Sequence, residues 1–275
     1  MTAHPHFLSV LLFALCTGLA HAQTTLVVAP SHLFFNYTEF DTNNKQLNNE
    51  RGGIPGLQLS LNTNISERVS ASLHATHFEN DVSYTGLTNK GEQHSTRTDE
   101  KITSHGAQLN IRIAKNNHVQ LDNFLALRQN EWQRDIRPRG NIAGLFEVYD
   151  WLETAIGLRL TIEHSPSLSW VVEASRLHTG LFEQHPPTIY IDLSQNGGTN
   201  TTLNIGPEYG SRISLAINKQ LLPKLSLGIK SYYESWDFGR SNTVITYVGT
   251  VQVAVTEPRS ETRNHGFQLN ISYML

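Results

Sequence analysis

The side chains best placed to do chemistry are charged groups at alternating positions of extended-looking segments. Within 118–135, Gln120, Asp122, Arg128, Asn130 and Arg134 share one parity, and within 145–163 Glu147, Tyr149, Trp151, Glu153, Arg159, Thr161 and Glu163 share the other. If the connection 136–146 is symmetric, residues of the two segments face each other when their numbers sum to about 281. Arg128 then faces Glu153, Arg134 faces Glu147, Asn130 faces Trp151 and Trp132 faces Tyr149. A second set, Glu208 and Arg212 on one later segment with Lys230 and Glu234 on the next, repeats the pattern. Guanidinium–carboxylate pairs on one face can do two things. They can cross-link an interior shut, or they can line a charged constriction that selects solutes.

Catalytic arrangements are much weaker. The sequence has no G-x-S-x-G, no H-E-x-x-H, no Walker loop and no dinucleotide-binding glycine pattern, and no residue is assigned as catalytic. His74 and His77 are three apart, which on a strand puts them on opposite faces, so they do not chelate a metal together. No metal site and no cofactor is expected. Gln195–Asn200 is a loop tip with no helix behind it, hence no phosphate cradle.

The 275 residues carry 21 basic and 24 acidic side chains, a formal charge of −3, with no basic excess to collect the phosphates of a nucleic acid. Phe7–Leu15 is a short apolar run, and Ala20-His21-Ala22 before Gln23 fits a cleavage site, so 1–22 reads as a secretory signal peptide although its first residues lack Lys and Arg. The single cysteine, Cys16, falls inside it, and Leu15 before it argues against lipidation. An exported chain without disulfides must take its stability from elsewhere.

Beyond Gln23 the dominant period is two. Ten strands are expected, at 26–41, 53–63, 67–84, 100–114, 118–135, 145–163, 167–182, 201–218, 224–239 and 261–275. Asn62–Asn64, Lys115–Asn117, His164–Ser167 and Leu221–Lys224 read as tight turns, and 85–99, 183–200 and 240–260 as long loops. Residues 243–255 alternate too, and are expected to extend the last hairpin rather than cross a membrane alone.

Short turns alternating with long loops, an even strand count and an amphipathic last strand are the layout of a membrane barrel. Over essentially all of 23–275 the chain resembles a small Gram-negative outer-membrane β-barrel. The resemblance implies an all-β fold, a closed antiparallel up-and-down transmembrane barrel of about ten strands. A sheet in lipid must close, because every backbone polar group has to pair internally. The last strand, with Phe267, Leu269, Ile271, Tyr273 and Leu275 on one face, resembles the assembly signal of that class, although Leu275 stands where Phe or Trp is usual. Outer-membrane lipid and the barrel-assembly machinery are the implied partners. Phe35, Tyr37, Trp132, Phe146, Tyr233 and Phe238, near the loop-side strand ends, are expected to form an interfacial aromatic belt.

The functional expectation is a non-enzymatic barrel, either a narrow solute channel or a closed structural one, with solute or ligand unassigned. One alternative resembles the omptin-type outer-membrane proteases, whose Asp and His residues lie near the outer rim; Asp81, Asp99, His94, His178, His185 and Asp192 could populate such a rim. The other is a soluble exported β-barrel binding protein, which would put its apolar faces inside.

Overall fold

The computed structural model describes residues 23–88, 91–180, 185–194 and 197–275; the expected leader, 1–22, lies outside them. The strands are β1 (Thr24–Phe40), β2 (Gln46–Asn64), β3 (Val69–Leu87), β4 (Gln93–Lys115), β5 (Val119–Ile136), β6 (Leu145–Ser165), β7 (Leu168–His178), β8 (Thr188–Asp192), β9 (Thr201–Asn204), β10 (Gly206–Pro207), β11 (Tyr209–Leu222), β12 (Leu225–Gly239), β13 (Val244–Val248), β14 (Val251–Val255) and β15 (Arg259–Met274). Ten of them close a ring in the order β1-β2-β3-β4-β5-β6-β7-β11-β12-β15, and β15 pairs back onto β1. Every pairing is antiparallel. This is the closed up-and-down barrel expected from the alternation.

Tight turns close one end. In the β4–β5 turn, Asn116 Oδ1 accepts hydrogen bonds from the His118 and Val119 amides at 2.9 and 2.8 Å. This lets an Asn side chain stand in for a backbone turn bond. At the other end the strands run further than expected. β2 starts at Gln46 instead of 53, because Asp41–Lys45 is itself a turn, in which Asp41 Oδ1 accepts from the Asn43 and Lys45 amides, both at 2.8 Å, and Asn44 takes a φ of 60°. Gly56 then stays inside the strand, since a Cβ there would strike the Phe78 ring. β3 and β4 likewise absorb most of 85–99. The expected strand 201–218 is broken instead, into β9, β10 and β11 around Pro207, which has no N–H to donate. β7 stops at His178, and above it β8 takes the place beside β6. Residues 243–255 form the separate β13–β14 hairpin and add no crossing.

The outward faces change character with height. Outward residues of β5 are Val119, Leu121, Leu125 and Leu127, interrupted by Asn123, and then Gln129, Glu131, Gln133 and Asp135. β15 goes from Tyr273, Ile271, Leu269 and Phe267 to His265, Arg263 and Glu261. Eight residues of strand at ~3.4 Å each, tilted by ~40°, give an apolar band roughly 20 Å high, close to that of membrane barrels. Above it the same strands continue as a collar whose outer wall carries ion pairs, including Arg137–Asp99 and Arg263–Asp237. The band therefore occupies only the lower part of the barrel.

The aromatic belt has to be corrected. Phe35, Tyr37, Trp132 and Phe238 point inward and are buried. Of the expected set, Phe146 and Tyr233 lie on outward positions, Tyr233 at 5.0 Å from the His265 ring. The outward rings that edge the band are Trp170 and Tyr273 below, and Phe34, Phe267 and Tyr209 above. Strand parity separates wall faces but carries no height, and the buried rings lie above the aliphatic band.

Candidate functional site

Inward side chains fill the barrel in two layers, a plug within the collar and a polar chamber beneath it. Trp132 (β5) stacks on Tyr149 (β6) at 4.6 Å between ring centres, and Tyr149 continues to Phe238 (β12) at 5.8 Å. Phe35 and Tyr37 (β1) meet Trp132 edge-on at 5.6 and 4.9 Å. Trp151 packs on Phe238 and Trp236 at 5.3 and 5.9 Å. Ile54, Ile102, Ile189, Leu203 and Ile205 complete this core. The rings interlock across the whole bore, since strands from opposite walls contribute to one cluster.

One guanidinium is set into the plug. Arg134 donates to Glu147 Oε2 at 2.7 Å, Glu50 Oε1 at 2.8 Å, Tyr149 Oη at 3.0 Å and Glu39 Oε1 at 3.3 Å. It also lies over the Tyr37 ring, 4.6 Å from its centre. Two further carboxyls join through aromatic donors. The Trp132 indole donates to Glu100, and Tyr149 donates to Glu257 at 2.7 Å. Arg134 is thus the cation of a cluster of five buried carboxyl groups. Glu257, in the connection ahead of β15, titrates abnormally: burial pushes its carboxyl well above the usual range, and the negative Glu39 and Glu147 add to that. Removing a charge from water is costly unless it is paired, and the guanidinium is already shared among three other carboxylates.

The chamber beneath holds about 190 Å³, room for roughly six waters. Arg128 and Glu153 face each other across β5–β6 with 3.6 Å between them, and Arg134 and Glu147 are register partners higher up, as the sum of 281 requires. Arg212 pairs with Glu234 and lies 3.6 Å from Glu153. Lys230 instead donates to Glu173, at 3.2 Å, and Glu173 also accepts from Arg159 Nε at 2.6 Å. Glu208 is exposed and stays outside the network, because Pro207 interrupts the strand that would have carried it inward. Sequence reading missed Glu39, Glu50, Glu100, Glu173 and Glu257 as members of these layers. A period-two pattern continuing from Asn48 to Glu50 through the Asp41–Lys45 turn was the available signal for Glu50; Glu257 sits in an irregular connection and has none.

The rim candidates do not converge. Asp81 is held by Arg97 and Asp99 by Arg137, whose Nε donates at 2.9 Å. Asp192 accepts from the Ser194 amide at 2.8 Å. His94 lies beside Tyr84, and His178 beside Tyr209 with its Nδ1 against the Gly180 carbonyl. His185 is exposed. Among the described residues these groups form no Asp–His pair, and no three His, Cys, Asp or Glu are grouped to hold a metal.

No protein-family model matches the sequence, and no curated protein matches it. Solved structures do. The outer membrane protease OmpT from Escherichia coli aligns with a TM-score of 0.62 at 7% identity, covering 92% of this chain and 96% of that one. The translocator domain of the autotransporter NalP from Neisseria meningitidis gives 0.45 at 11% identity, covering 98% and 95%. OprG from Pseudomonas aeruginosa gives 0.43 at 8%, covering 92% and 96%. At such identities the likeness is one of fold: the chain shares the closed antiparallel barrel of OmpT.

Proposed function

We propose that this protein is a closed, non-enzymatic barrel of the outer membrane, exported by its leader, that presents a rigid collar at the outer surface. The observation that carries this reading is the plug. Wholly buried Trp132, Tyr149 and Arg134, together with rings from β1 and β12, occupy the bore above the membrane level. A continuous polar path, which a channel needs, is interrupted there. The aliphatic outward band supports outer-membrane lipid as the surrounding medium, and argues against a soluble exported barrel, which would bury those residues. The last strand, from Phe267 to Leu275 with its outward aliphatic and aromatic face, is the segment we assign to the barrel-assembly machinery. A protease like the one whose fold the chain shares would need acid and imidazole groups within hydrogen-bonding reach of each other and of a substrate. The dispersed rim residues do not supply them among the described residues.

The test is conductance in a planar bilayer, after the heat-dependent shift in gel mobility has established folding. The refolded wild type is expected to be electrically silent. The double variant Trp132→Ala/Arg134→Ala, which empties the centre of the plug, is expected to give discrete steps. Steps in the wild type that change in Arg128→Ala or Glu153→Ala would instead establish a channel.

A further inference from the structure

The chamber under the plug has several buried hydrogen-bond donors without an acceptor among the described residues. Arg128 makes no hydrogen bond to any described residue, and its nearest carboxylate oxygens are 3.6 Å away on Glu153 and 4.0 Å away on Glu234. Four other donors at the chamber wall also lack an acceptor: the Trp151 and Trp236 indole N–H groups and the Asn130 and Asn264 amide nitrogens. All four residues are at least nine-tenths buried. An indole nitrogen can only donate, and a buried donor left unpaired costs about 1–3 kcal/mol. One nearby acceptor, Glu153 Oε1, is itself without a hydrogen bond, 3.6 Å from both Arg128 and Arg212, and the other two carboxylates are committed. Glu173 serves Arg159, Lys230 and Ser214, and Glu234 serves Arg212. The lining holds four cationic side chains, Arg128, Arg159, Arg212 and Lys230, against three carboxylates.

We propose that the chamber binds a small oxyanion of phosphate size, entering from the short-turn end, with the Arg128 guanidinium as its anchor. A planar fork of N–H groups suits two oxygens of one anion, and the neighbouring indole and amide donors suit the others after small side-chain rotations. Polar Asn62, Ser72 and Gln108 line the route from below. That the site is a blind one rests on the closed-barrel reading; that it binds an anion does not.

Inorganic phosphate is the probe, titrated into the refolded full-length mature chain in detergent, with calorimetry and tryptophan fluorescence as readouts, since Trp151 and Trp236 flank the site. Saturable binding is expected, weakened at least tenfold in Arg128→Gln and severalfold in both Arg128→Lys and Trp151→Phe. Arg97→Gln, on the outer wall, should leave it unchanged. If Arg128→Gln does not give the heat-modifiable form, the two milder variants decide. Absence of saturable binding, or binding indifferent to position 128 and to Trp151, overturns the proposal. Conductance steps in the wild type would overturn the closed barrel while leaving the phosphate titration to stand by itself.

Discussion

The five carboxyls around Arg134 make the plug sensitive to protons. Glu257 holds its proton in the folded barrel at pH values where the unfolded chain has already released it. In that window the folded state binds more protons than the unfolded one, so stability falls as pH rises above the ordinary carboxylate range toward the raised folded value. Glu257→Gln keeps an acceptor for the Tyr149 hydroxyl and removes the titration. Its stability, followed by the heat-induced mobility shift, should therefore lose up to about 1.4 kcal/mol of slope per pH unit in that window. An unchanged slope would exclude Glu257 as the titrating group. The pairings Arg128–Glu153 and Arg134–Glu147 were legible because one hairpin with a symmetric connection, 137–144, leaves little freedom of register. The partners Glu39 and Glu50 were not, since they reach Arg134 across the bore, from strands with no sequence relation to β5.

Among the elements, alternation identified all ten barrel strands, and failed at their upper ends. The second strand was expected from 53, yet β2 already starts at Gln46 and runs through Gly52, Gly53 and Pro55, helped by Asn80 Nδ2 donating to the Gly53 carbonyl at 2.8 Å where the ladder to β3 lapses. The inward aromatics illustrate the same limit, because a ring buried in the collar and a ring at the lipid boundary share a strand and look alike in sequence. Face assignment itself is open to direct test on β6. Leu158 points outward at mid-band and is half exposed, whereas Thr161 points into the bore. Leu158→Arg should cost about 2–4 kcal/mol and block assembly into membranes, while Thr161→Arg should assemble with a modest loss. Equal behaviour of the two in a membrane-fractionation assay would reverse the facing.

Taken whole, the molecule is one wall with two outer surfaces, an aliphatic band around its lower part and a charged collar above. The β13–β14 hairpin is a two-stranded sheet of its own, attached to the collar through Thr199 and Gly249 backbone bonds. Replacing Val244–Val255 by a short Gly-Ser link should therefore leave a barrel that still shows the heat-dependent mobility shift. Loss of that shift would mean the hairpin is required for closure.

β6 has two successive neighbours on one edge, β7 from Thr154 downward and β8 above Asp150. A horizontal slice through the aliphatic band and one through the collar thus cut different strands. Length added to or removed from the stretch between β7 and β11 alters only the upper slice, so the aliphatic band keeps the same ten-strand circumference whatever that stretch becomes. The collar of this barrel can take insertions and deletions there while the shear and diameter of the banded part stay constant.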